Sequence, residues 1–251
     1  FASIVAAIEE GRSIFANIQK FLRYLLSSNI GEVLVMFLAV LLAGVIGLSG
    51  EGFLALPLTA TQILWINLLT DGAPALALGL EPAGPDAMRR PPRPRGSGVI
   101  TRRAWLGIAV TGLIMAAGTL FVLDYALPGG YISGSGGLLR AQTMAFTTLV
   151  LFQIFNVFNA RSFGRSAFAG LFRNPWLWGA LLLSLLLQVL VVYAPFLHPA
   201  FGTVPLSLQE WGLCAAVAST VLWLREAGRL ASRAQEIVPG KECLRRGRAG
   251  S

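Results

Sequence analysis

Residues 176–196 read WLWGALLLSLLLQVLVVYAPF, an apolar run without a charged side chain. A helix of about 20 residues covers a hydrocarbon core about 30 Å thick. A soluble helix of that length would carry a polar stripe at helical spacing, and this run has none of useful width. It reads as a transmembrane helix. Apolar blocks of the same kind occupy residues 33–47, 104–123 and 211–224. The whole composition agrees, with 55% hydrophobic and 13% charged residues, about half the charged share of an ordinary soluble domain.

Working outward from that run gives six spans, at about residues 25–46, 59–80, 105–127, 142–159, 176–196 and 211–229. The second and fourth are the most polar, with Asn67, Thr70 and Asp71 in one and Gln153, Asn156 and Asn159 in the other. No alternation of the outer-membrane barrel type occurs, so the expected class is all-α. The expected architecture is a polytopic membrane protein, a six-transmembrane-helix bundle with a long N-terminal stalk helix.

Charge placement gives an independent test of this topology. With both termini cytoplasmic, all but Arg140 of the 20 Lys and Arg residues fall on the inner side. They lie before the first span (Arg12, Lys20, Arg23), between spans two and three, between four and five, and from the inner end of the sixth onward. That is the pattern of the positive-inside rule, and an odd number of spans would scatter it. The net charge of +8 therefore needs no nucleic-acid partner. Topological determinants and attraction to anionic lipids account for it. Pro91, Pro92 and Pro94 forbid a helix in residues 89–98, and the basic tail after Val238 is expected to be loose. Cys214 within a span and Cys243 in the tail lead us to expect no disulfide.

Residues 1–24 are neither a signal peptide nor a soluble domain. They form an amphipathic pattern in which Ile4, Ile8, Ile14, Phe15, Ile18, Phe21 and Leu22 alternate with Glu9, Glu10, Arg12 and Lys20. This cytoplasmic stalk should run straight into the transport domain of residues 25–229, which residues 230–251 follow as a basic cytoplasmic tail. With no initiating Met and no N-cap signal, the chain is expected to be part of something larger.

The chemistry must lie with the few polar groups at membrane depth, because an ionisable side chain there is costly and faces a bundle interior or ion path. Asn29 and Glu32 stand at i, i+3, and Asn67, Thr70 and Asp71 at i, i+3, i+4, each set on one helix face. Residues 71–74 (DGAP) interrupt the second span: Pro74 has no N–H for the Thr70 carbonyl, and Gly72 permits unusual backbone. A broken helix persists in a membrane where its freed carbonyls are buried or ligate something. Carboxylate, amide, hydroxyl and carbonyl oxygens together suit a hard cation such as calcium. Interhelical hydrogen bonding is the structural alternative for the same residues. Asp124, near the outer end of the third span, reads as a solvated end residue, and His198 as an outer-loop residue without special chemistry. No Gly-rich loop followed by Lys and no nucleophile–base set is found.

Three stretches carry a resemblance: residues 1–12 (FASIVAAIEEGR), 27–33 (SSNIGEV) and 64–74 (LWINLLTDGAP), with 88–92 (MRRPP) as a fourth short match. Together they resemble type II P-type ATPases, especially the sarco/endoplasmic reticulum calcium pumps and their bacterial relatives. The resemblance implies that the six spans are transmembrane helices five to ten, with Phe1 on the stalk of helix five. It implies that Asn29 and Glu32 match helix-five calcium ligands, and that Asn67, Thr70 and Asp71 match helix-six ligands. It further implies a partner: helices one to four and the cytoplasmic domains, where ATP and magnesium would bind and an aspartyl-phosphate would form.

One departure from the two-calcium pumps concerns residues 149–162 (LVLFQIFNVFNARS). At the position of a helix-eight glutamate stands Gln153, as in the plasma-membrane type of calcium pump. A neutral oxygen there weakens a divalent position judged by ligand charge. The expected function is the membrane transport part of an ATP-driven cation pump, calcium favoured, in the cytoplasmic membrane if the source is bacterial. A manganese, sodium or proton pump of the same fold is the alternative within the class, since oxygen ligands alone do not select one metal. A passive channel or secondary transporter, and a membrane interaction protein, are the alternatives outside it.

Overall fold

The computed structural model describes residues 1–50, 53–82, 88, 98–128, 131–132, 134, 136–161, 172 and 174–237. The basic loop at 89–97 and the tail beyond 237, both addressed above, lie outside the described residues.

Helices dominate the described residues. The first, α1 (Ala2–Leu41), is 40 residues long and carries the amphipathic stalk into the first apolar block without a break. A four-residue turn, α2 (Ala43–Ile46), ends at Gly47, whose φ of 76° closes the helix in the left-handed region. Two-residue strands, β1 (Ser49–Gly50) and β2 (Phe53–Leu54), pair antiparallel with Ser49 opposite Leu54. The second apolar block is helical in three pieces: α3 (Ala60–Trp65), a π-helical turn (Ile66–Thr70) and α4 (Gly72–Gly79). Then come α5 (Arg102–Ala126), α6 (Leu138–Arg161), α7 (Pro175–Tyr193), the short α8 (His198–Phe201) and α9 (Leu208–Ile237).

Four of these, α1, α5, α6 and α7, are long and apolar enough to cross a membrane. The second block misses that standard because it is broken, and α9 because its C-terminal half is polar. The helix count thus differs slightly from six uniform spans, while the chain is an integral, multi-pass, all-helical membrane protein as expected.

Local chemistry fixes the helix starts. Thr59 caps α3 in a reciprocal box with Gln62, each side chain bonding the other's backbone N–H. The Asn174 side chain accepts from the Leu177 N–H at 3.2 Å, and Pro175 occupies the first turn of α7, where its missing N–H costs nothing. The same Asn174 donates to the Ala77 carbonyl at 2.8 Å, tying the start of α7 to α4.

Packing places α6 at the centre, in contact with α1, α5, α7 and α9. Every residue from Ala141 to Gln153 is buried, so its polar side chains, among them Gln142, Thr143, Thr147, Thr148 and Gln153, lie inside the bundle. Its Phe146, Leu149 and Phe152 join Val35, Met115 and Val221 in the main core. A second cluster, Tyr24, Ala75, Leu78, Val157, Leu177 and Leu181, packs around α4. Outward residues such as Leu182 and Leu186 of α7 are exposed and apolar, as lipid-facing side chains are.

Helices α1 and α5 cross at small residues. A Cβ on Gly112 would lie 2.6 Å from the Ile30 side chain and 3.1 Å from the Gly31 nitrogen, so only glycine allows this approach. That crossing sets the depth of the next residue in α1, Glu32.

Candidate cation site

Glu32 is buried, 4% exposed, and its two oxygens reach two other elements. Oε2 accepts from the Asn67 amide of the π turn at 2.6 Å, and Oε1 from the Gln153 amide of α6 at 2.8 Å. The spacing argument could only group residues along one helix. The structure adds that α1, the π turn and α6 converge on one carboxylate.

The break in the second block supplies the other carboxylate. The Asp71 N–H donates to the Ile66 carbonyl at 2.9 Å, an i to i+5 bond that widens the helix by one residue. Pro74 then withholds the N–H that Thr70's carbonyl would otherwise accept. Ser184 of α7 replaces it, its hydroxyl donating to the Thr70 carbonyl at 3.2 Å. The break was expected at residues 71–74. The structure puts the widened turn just before it, and the freed carbonyl is buried and paired.

Asp71 is fully buried. Its Oδ1 accepts from the Tyr24 hydroxyl at 2.7 Å, whereas Oδ2 is buried without a hydrogen-bond partner. Ser28 Oγ and Gln153 Oε1 are buried and unpaired as well. A buried polar atom without a partner is costly, and unpaired oxygens on neighbouring elements are what a dehydrated cation would satisfy. Among the described residues, no Lys or Arg side chain bonds Glu32 or Asp71. Two buried carboxylates without a cationic partner demand a proton or a bound cation. No group of three His, Cys, Asp or Glu forms among the described residues, so the donor set is two carboxylates with neutral oxygens.

Not every expected residue faces this centre. Thr70 is buried, but its hydroxyl turns back to the Ile66 carbonyl at 2.9 Å. Asn67 is on the exposed side, and its amide bridges inward to Glu32 while also reaching the Ile63 carbonyl at 3.0 Å. Asn29 is exposed and donates to the Leu25 carbonyl at 2.9 Å. A residue three positions from Glu32 is rotated by about 60° around the helix, enough to leave it at the rim. Asp124 departs from the sequence reading outright: it is 7% exposed, and its carboxylate accepts from the backbone N–H groups of Tyr131 and Ile132 at 2.9 and 3.0 Å. It organises the following loop instead of facing solvent.

Sequence reasoning missed Tyr24, Ser28 and Ser184. For the first two a signal existed: Tyr24, Ser28 and Glu32 recur every four residues, a polar ladder on one face of α1. Ser184 had no such signal, since one Ser in an apolar run says nothing about its neighbour.

Comparison with known proteins agrees with this architecture. Residues 55–231 match the family model described as cation transporting ATPase, C-terminus. The chain is 41% identical over 233 residues to a calcium-transporting ATPase of Bacillus subtilis, which covers 93% of this chain and 24% of that protein. It is 38% identical over 231 residues to the mouse calcium-transporting ATPase type 2C member 2, covering 92% of this chain and 23% of the relative. The human type 2C member 1 protein is 36% identical over 237 residues, 94% of this chain and 24% of the relative. This chain therefore belongs to the cation transporting ATPase C-terminal family, the membrane part of the type II P-type ATPases. It spans about a quarter of the length of these curated relatives.

Proposed function

We propose that this chain is the transport half of an ATP-driven calcium pump, and that Glu32 and Asp71 are its acidic ion ligands. The observation that carries the reading is the buried pair of carboxylates, Glu32 on α1 and Asp71 at the break in the second block, with Asp71 Oδ2 and Gln153 Oε1 unpaired beside them. Asn67 and Gln153 complete the set by turning their amides so that oxygen replaces the N–H₂ now donated to Glu32. Thr70 contributes an oxygen from the broken turn. Asn29, at the exposed rim, closes the site from the side that the rest of the pump covers. Calcium is preferred to manganese, sodium or protons because the relatives above are named as calcium-transporting ATPases and the donors are oxygens.

In this reading all six apolar blocks cross the membrane, both termini are cytoplasmic, and the basic residues of the inner face attract anionic lipids. ATP and magnesium act in the remaining part of the pump, which phosphorylates an aspartate and drives the site between inward-open and outward-open states. The test is Asp71→Asn in the complete protein. Calcium-dependent phosphorylation by ATP is expected to be lost, while phosphorylation by inorganic phosphate, whose chemistry lies elsewhere, is expected to persist. Normal calcium dependence in this variant would refute the site.

A further inference from the structure

Helices α1 and α6, which meet the second block at Glu32 through its π turn, meet that block a second time beyond α4, near the cytoplasmic end of the bundle. Glu81 follows α4 and is 10% exposed at its side chain. Its Oε2 lies 2.9 Å from Lys20 Nζ of α1, and its Oε1 2.6 Å from Arg161 Nε at the end of α6. Asn17 of α1 adds a third tie, donating to the Glu81 carbonyl at 2.7 Å and the Gly79 carbonyl at 3.2 Å while accepting from Lys20 at 3.2 Å. Lys20 is 12 residues from Glu32, Glu81 is 10 from Asp71, and Arg161 is 8 from Gln153. At 1.5 Å per helical residue, the second meeting point lies roughly 12–18 Å below the first.

An arrangement of this kind fixes more than stability. A single contact between two helices leaves them free to slide or rotate about it. Two contacts at different heights set axial register and rotation together. Side chains in a cation site must be held within about 0.5 Å of the working geometry, and a one-residue helical slip is 1.5 Å. The lower contact is charged and largely buried: Arg161 is 5% exposed and Lys20 17%. Losing one member strands the other charges, so the lower cluster resists piecemeal loosening.

We propose that Glu81 is a positioning residue of the cation site. Through Lys20 and Arg161 it sets the register of the three elements that carry Glu32, Asp71 and Gln153. The proposal rests on the site reading above and goes beyond it, because Glu81 is not a ligand. The experiment measures calcium dependence of phosphorylation by ATP, phosphorylation by inorganic phosphate and thermal unfolding in the complete protein. The variants are Glu81→Gln, Glu81→Asp and Lys20→Met, with Asp71→Asn alongside.

For Glu81→Gln the calcium concentration at half-maximal phosphorylation is expected to rise roughly ten-fold, within the range typical of coupling between separated sites. The maximal level, and phosphorylation by inorganic phosphate, are expected to stay near those of the parent. Lys20→Met, at the more exposed edge of the cluster, is expected to move calcium dependence in the same direction by a smaller factor, and it serves where Glu81→Gln does not fold. Glu81→Asp, which keeps the charge, is expected to recover part of the affinity. Unchanged calcium dependence in Glu81→Gln and Lys20→Met, with only the unfolding temperature lowered, overturns the positioning role and leaves the site intact. Normal calcium dependence in Asp71→Asn overturns the site, and the positioning role with it.

Discussion

The hydroxyl of Ser184 donates to the carbonyl of Thr70, the one acceptor that Pro74 deprives of its helical partner. A break in one membrane helix is thereby completed by a side chain of another, which lets Asp71 sit in a widened turn without exposing an unpaired carbonyl to lipid. Ser184→Ala should cost about 1–3 kcal/mol of stability, the range for a buried acceptor left unpaired. Thermal unfolding of the complete protein in detergent measures it. Loss of less than about 0.5 kcal/mol, the range of an ordinary surface substitution, would mean that the carbonyl finds another donor.

The crossing of α1 and α5 makes a second prediction. Gly112→Ala places a methyl carbon against Ile30 and the Gly31 backbone, where the obstacle includes main chain. The helices must separate, at a cost of about 1–3 kcal/mol by analogy with overpacked cores. Because the displaced segment precedes Glu32, calcium affinity should fall together with stability. Gly11→Ala, inside α1 with nothing within 4 Å of the added carbon, should leave calcium affinity unchanged and stability unchanged or raised by up to about 1 kcal/mol. Equal behaviour of the two variants in parallel unfolding and calcium titrations would contradict the close approach.

Topology is open to direct labelling. Single cysteines introduced at residues 89–98 should react with an impermeant thiol reagent from the cytoplasmic face only. Those at 129–137 should react from the opposite face only, the orientation that the positive-inside pattern of the arginines leads us to expect. Reaction of both loops from one side would rule out six crossings.

Stoichiometry follows from Gln153. In this chain Glu32 and Asp71 are the carboxylates of the proposed site, and the resemblance to type II P-type ATPases, whose helix four carries a glutamate ligand, implies one more from the remainder of the pump. Three carboxylates neutralise one calcium with one charge to spare, but not two, and uncompensated charge in a low-dielectric site is costly. We expect one calcium bound per phosphorylation site, measured by equilibrium binding of radioactive calcium to the purified complete protein. A ratio of two with positive cooperativity would refute this and point to a further ligand such as Asn156, whose amide already bonds Ser27 at 2.7 Å.

How far the sequence could be read depended on the range of the interaction. Apolar blocks are a local property, so the helices at Trp105, Trp176 and Trp211 were legible from composition alone. The break near Asp71 was legible too, because Pro74 acts on its own turn. Helix rotation was not: Asn29 and Glu32 share a spacing pattern, yet packing against α5 and α6 buries one and leaves the other outside. Nor does a one-dimensional pattern contain the π turn, which rotates Asn67 relative to Asp71. Glu81 went unread because, in sequence, it is one acidic residue before a Pro-rich loop, and its partners lie 61 and 80 positions away.

The length of α1 gives these contacts a mechanical meaning. Lys20 stands 12 residues from Glu32 within one unbroken helix. With the Glu81 cluster as pivot, Glu32 lies on an arm roughly 18 Å long at 1.5 Å per residue. A tilt of about 5° then moves Glu32 by roughly 1.6 Å, more than a one-residue rise of 1.5 Å. A small change of helix angle at the cluster is thereby magnified into a displacement beyond the roughly 0.5 Å that a cation site tolerates.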